Sequence, residues 1–218
     1  MNNEVPTVRG ASAVRWGPKA SYLDPVESLP FEAQYEQVVR ERGQRETATG
    51  TIHRDSKGRL RRQYRIAQAS GQEPIDLVVI NDFAARTAVA LDIATNTATR
   101  FTDFGPPPGQ PLVRGWAFEG SWSREGGAEE KMIEGVLCRK LARVGWPLGT
   151  ALKVAEAGEI WVSDELKYSV LERVTDPEHE HTWRLYNIRR TEPPDSLFVV
   201  PAAYTMVSRS KLDPSPRR

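Results

Sequence analysis

Short runs in which apolar and polar residues alternate, each closed by a compact turn signal, recur along most of this chain. In the clearest, Leu60, Arg62, Tyr64 and Ile66 share one face while Arg61, Gln63 and Arg65 share the other. A period of two is the signature of a half-buried β-strand. The Thr-rich segment Glu46–His53 precedes it, and Asp55-Ser-Lys-Gly58 lies between them, with Gly58 suited to a positive φ. Strands joined by so short a turn must be antiparallel, so residues 46–68 predict a hairpin.

The pattern continues on both sides. Phe31, Ala33 and Tyr35 alternate with Glu32, Gln34 and Glu36, and the phase slip at Val38-Val39 predicts a bulge or a wet second face. Ile75–Ile80 reads as a mostly buried strand, followed by Thr87–Leu91, a turn over Asp92–Asn96, and Thr97–Phe101. Late in the chain Glu159–Ser163, Lys167–Val174 and His181–Arg189 read as strands, with turns at Asp164-Glu165 and Asp176–His179. A short helical start is expected near Gly127–Ile133, and a helical turn over Thr191–Phe198 capped by Asp195 or Ser196. Residues 103–111, with Pro106, Pro107 and Pro108, read as a stiff link. No helix-length amphipathic segment separates the early strands, which argues against a doubly wound nucleotide-binding fold.

An antiparallel sheet of this size must curl, close or be covered to hide its apolar face. The expected fold is therefore mainly β, a curved antiparallel sheet or incomplete β-barrel with one or few short helices. The expected organisation is an extended arm over residues 1–30, a single domain over 31–205 and a flexible tail over 206–218. The 39% hydrophobic content of the 218 residues suits one such core.

Charge and cysteine usage remove several function classes. Thirty Lys and Arg oppose 29 Asp and Glu, a formal net charge of +1, so no global field draws the chain to nucleic acid or an anionic membrane. Arginines cluster at 40, 42, 45, 54, 59, 61, 62 and 65, but alternation sets Arg59, Arg61 and Arg65 opposite Tyr64, unlike a stacking platform for single strands. No nucleic-acid partner is expected. Cys138 is the sole cysteine, which excludes an intrachain disulfide and a multi-cysteine metal site, and it reads as a small core filler. No apolar stretch is long enough for a transmembrane helix, and the N-terminus lacks the basic-then-apolar order of a secretory signal.

No catalytic site is legible. There is no Gly-x-Ser-x-Gly nucleophile elbow and no phosphate-cradling loop, and acid pairs such as Asp76/Asp82 and Asp164/Glu165 carry no placement of their own. Nothing calls for a cofactor. His179 and His181 stand two apart, on one face if the segment is a strand, and are the only candidates for a metal; an exposed hairpin tip is the simpler reading. What remains is geometric. A curved sheet with few covering helices leaves a concave apolar face, where a lipid or acyl chain could bind. Alternation nominates Ile75, Leu77, Val79, Val89 and Trp161 as its lining. The same space could instead be filled by Trp116, Trp161, Trp183, Tyr168 and Phe198, leaving a structural or protein-interaction role.

Several segments resemble a family of uncharacterised exported proteins abundant in Acidobacteria and related soil bacteria. Thr49–Arg62 is similar to that family's "Gly…Arg-Asp-x-x-Gly-Arg-x-Arg-Arg" segment. Glu159–Leu171, Asp176-Pro177 and Trp183–Arg190 resemble its "Trp-x-Ser-x-x-Leu…Val-Leu…Asp-Pro…Tyr-Arg-Leu-Thr-Asn-Ile" block. Glu192–Tyr204 is similar to its closing "Glu-Pro-x-x-x-Leu-Phe-x-Val-Pro-x-x-Tyr", and Ile133–Val136 to its "Ile-x-Gly-Val" step. The likeness spans roughly residues 31–205 and departs around 113–158, where Cys138–Leu141 and Gly145–Gly149 replace a Thr-rich run. It implies export to the periplasm or outer surface and a lipoprotein-carrier-like sheet; an apolar molecule or an envelope protein is then the expected partner, on the geometric argument above. It implies no reaction.

Overall fold

The computed structural model describes residues 26–41, 44–67, 73–102, 129–140, 147–148, 151–152, 157–175 and 179–209. Residues 1–25 of the arm expected over 1–30, the proline link, Trp116 and residues 176–178 of the expected Asp176–His179 turn lie outside them. The early strands are β1 (Phe31–Glu41), β2 (Gln44–Arg54), β3 (Leu60–Ala67), β4 (Ile75–Asp82), β5 (Thr87–Asp92) and β6 (Thr97–Phe101). Then come β7 (Glu130–Ile133), β8 (Val136–Lys140), the two-residue strands β9 (Pro147–Leu148) and β10 (Ala151–Leu152), β11 (Ala157–Ser163), β12 (Tyr168–Thr175) and β13 (His179–Arg189). A 3₁₀ turn, Asp195–Phe198, precedes β14 (Thr205–Arg209).

Twelve strands make one sheet in the order β14-β6-β5-β4-β3-β2-β1-β13-β12-β11-β8-β7, while β9 and β10 pair apart. Two antiparallel runs, β1–β6 and β7-β8-β11-β12-β13, are stitched by the long β1–β13 ladder from Glu32↔Arg189 to Glu41↔His179. Among the described residues β14 and β7 are free ends, so the sheet is open and not a closed barrel. β14 runs parallel to β6, Thr205↔Thr97 to Arg209↔Phe101, and continues the sheet beyond residue 205.

The sheet curls strongly. Arg62 of β3 and Tyr168 of β12 stand four strand spacings apart in the sheet, about 19 Å if it were flat. Yet the Arg62 guanidinium donates to the Tyr168 hydroxyl at 2.6 Å. The face carrying both side chains is therefore concave. It holds the main core, including Phe31, Tyr35, Ile52, Leu60, Tyr64, Ile66, Leu77, Val79, Trp161, Val170 and Leu185. A second, smaller core lies on the convex face, where Val78, Ile80, Val89, Leu91 and Ala98 meet Phe198. Burial on both faces explains the continuous apolar run of β4.

Four expectations differ from the structure. Gly127–Ile133 does not start a helix: Glu130–Ile133 is a strand, turned into β8 by Glu134 (φ 51°) and Gly135 (φ 78°), the positive pair a two-residue hairpin needs. The Val38-Val39 slip is no bulge, since register is continuous there and shifts instead between Glu32 and Gln34. The 3₁₀ turn has Pro194 at its N-cap and no side-chain cap from Asp195 or Ser196. Finally, His181 is no hairpin tip, being paired on both sides, with Val39 and Val174.

Candidate groove on the convex face

Beyond β13 the chain recrosses the convex face as a strap. Pro193, Pro194 and Pro201 restrict its backbone, and the bonds Leu197 N to Pro194 O (3.0 Å) and Tyr204 N to Pro201 O (3.0 Å) tighten it. The Asp55–Gly58 turn anchors it. Glu192 accepts from Ser56 N at 3.1 and 3.2 Å and from Ser56 Oγ at 3.1 Å. Asp195 accepts from Lys57 Nζ at 3.2 Å and from Arg59, and these cations hold its carboxyl below the usual range. Arg59 is fixed in turn by Asp55 at 2.6 Å and lies 4.6 Å above the Phe198 ring. Thr205 N then bonds Asn96 O at 2.9 Å and starts β14.

Strap and sheet enclose an open groove of about 520 Å³. Ile80 and Asp82 of β4, Thr87 and Val89 of β5, Arg100 of β6 and Met206 of β14 form its floor; residues 198–202, Tyr204 and Arg59 form its wall. Val199 (56% exposed) and Met206 (41%) present apolar surface to solvent there. Asp82 accepts from Ala85 N at 2.8 Å. This is a shallow, mixed surface, the chemistry of a macromolecular contact more than of an enclosed small-molecule pocket.

The concave face carries a different cluster. Tyr35, Gly50 and Tyr64 stand in register across three strands. Lacking a Cβ, Gly50 lets the Tyr35 ring cross β2, where its hydroxyl donates to Gln63 O at 2.9 Å. Tyr35 stacks on Trp183 at 4.6 Å and meets Tyr64 edge-on at 5.7 Å. Arg62 lies among these rings, bonded to Tyr168 and, at 3.5 Å, Tyr64, with Trp183 at 5.8 Å and its Nε buried without a partner. Burial pushes the Glu172 carboxyl up to about 7, with Ser169 and Arg62 pulling the other way. His181 Nδ1 stands 3.9 Å from Glu172, while Gln37 Nε2 donates to His181 Nε2 at 3.1 Å. The members pack on one another as a polar island within the core.

Of the residues nominated to line an apolar ligand, Leu77, Val79 and Trp161 lie in the main core, each 1% exposed. Ile75 packs against that core. Val89 points to the opposite face and helps floor the groove. The structure does not bring these five together. Among the described residues no three His, Cys, Asp or Glu side chains are placed to hold a metal; His179 opens β13. Cys138 is buried, its thiol pushed up to about 11, which leaves it unreactive. The arginines at 54, 59, 61, 62 and 65 each bond a neighbouring carbonyl, carboxylate, amide or phenol. Sequence reading missed the groove because its wall is a proline-rich strap without periodicity; the doubly apolar β4 run was its one visible trace.

No protein-family model matches the chain, and no curated protein does. Among solved structures the chain is similar to that of MucB, at 12% identity and a TM-score of 0.43, covering 89% of this chain and 65% of that one. The chain thus spans slightly less than two thirds of MucB. It is also similar to a LolA superfamily protein from Nitrosomonas europaea, at 6% identity and a TM-score of 0.33 over 87% of this chain and 97% of that one. A DUF1329 family protein from Desulfovibrio piger matches at 10% identity and a TM-score of 0.38, over 79% and 90% of the two chains.

Proposed function

We propose that this protein is an interaction module of the cell envelope that receives an extended segment of a partner protein in the convex groove. One observation carries the reading: the groove is open, and Val199 and Met206 hold apolar surface in water at its edge. A carrier of a lipid or acyl chain finds less support. The side chains expected to line its site divide between a closely packed core and the opposite face. Export to the envelope belongs to the same proposal and is supported by the sequence resemblance over residues 31–205.

The test is selection of random displayed peptides on the purified protein, with counter-selection on a Val199→Asp, Met206→Asp double variant. Peptides that bind the unaltered protein and not the variant are expected. Peptides indifferent to the two changes, or acyl lipid co-purifying with the protein in native mass spectrometry, would contradict the reading.

A further inference from the structure

The groove has three charged side chains, Arg59, Asp82 and Arg100. Arg59 is neutralised by Asp55 and Asp195, and Asp82 is occupied by the backbone of its own turn. Arg100 differs. It is exposed on β6, directly opposite the largely buried Val89 in the ladder, and its guanidinium makes no ion pair or hydrogen bond among the described residues. A lone guanidinium at the margin of an apolar floor offers paired donors that fit a carboxylate. A carboxylate held there stands beside surface that Met206 and Val199 make apolar.

We infer that the groove selects an extended peptide with an acidic side chain next to a bulky apolar one, the carboxylate on Arg100 and the apolar group between Met206 and Val199. This rests on reading the groove as a peptide site. Charge opposes occupation by residues 210–218, which carry Lys211, Arg217 and Arg218 against Asp213.

Capped heptapeptides alternating Leu and Thr, with Glu, Gln or Lys at the centre, test this by fluorescence polarisation on the full chain. The Glu peptide should bind about tenfold more tightly than the Lys peptide, the range of a charge-assisted hydrogen bond. Arg100→Gln should level the series and Arg100→Glu should invert it; both changes are at an exposed position, and circular dichroism checks that each variant folds. Equal affinities on the unaltered protein, or an order unchanged in Arg100→Glu, would overturn the inference while leaving the groove a peptide site. Binding of none of the three, alongside a failed display selection, would instead remove the peptide site itself. Tighter binding of a peptide copying residues 205–218, or a dimer in sedimentation that Met206→Asp dissolves, would assign the groove to the chain's own tail or to a second copy.

Discussion

At Gly50 a missing side chain is what the neighbours use. A Cβ built there would sit 1.7 Å from Gln63 O and 2.9 Å from the Tyr35 hydroxyl. Gly50→Ala must therefore break the Tyr35 bond and push β2 and β3 apart. A loss of about 3 kcal/mol in urea unfolding is expected, the upper part of the overpacking range; a change within about 0.5 kcal/mol, the size of an ordinary surface substitution, would show that Tyr35 does not cross β2. Glu172 gives a second test at this scale. Its folded pKa, raised to about 7 by burial, lies above the ordinary carboxylate value near 4.3. Between those values the folded state holds a proton that the unfolded state has released. Stability is thus highest at the acid end of the window and falls as pH rises through it, by on the order of 3 kcal/mol from this group. The stability difference between the native protein and Glu172→Gln, measured from pH 4.5 to 7.5, should change by about that amount. No change in the difference would place Glu172 in contact with water.

Among the elements, the strap decides the architecture of the convex face. Phe198 is the buried side chain that the 3₁₀ turn sets in the second core, with Leu197 packed against it, and β14 begins at Thr205 beyond the strap. Phe198→Ala should cost about 3 kcal/mol, the low end for a buried phenylalanine. In native-state hydrogen exchange the loss should fall on β14 and β6, while the amides of β1–β3 keep their protection. Uniform loss over the sheet would mean that strap and main core unfold as one unit. The hairpins were readable from sequence because alternation and turn chemistry are local: Asp55–Gly58 and the face shared by Leu60, Arg62, Tyr64 and Ile66 needed no tertiary information. β7 was not, since Gly127–Ile133 has a composition that suits a helix start as well as a strand, and only pairing with β8 decides between them. β14 was not either, because five residues pairing in parallel with a strand a hundred positions earlier leave no local mark. The groove inherits the second of these blind spots, being built where β14 and the strap meet the convex side of β4–β6.

For the whole molecule, the two faces divide the work. Curling brings Arg62 within reach of Tyr168 and closes the concave side into a core with a polar island. The convex side is left with a strap, a small second core and exposed apolar surface. Alternation placed Leu77, Val79 and Trp161 together on the concave face but could not tell a packed face from a vacant one, and it gave Val89 the wrong phase because β4 and β5 are buried on both sides. The most direct measurement is a two-dimensional amide NMR titration of the protein with a peptide taken from the display selection. The account predicts shifts confined to residues 198–206, to Arg100 and to the outward positions of β4 and β5 around Ile80 and Val89. Shifts centred on Leu77, Val79 and Trp161, with the groove unmoved, would contradict it and return the binding site to the concave face.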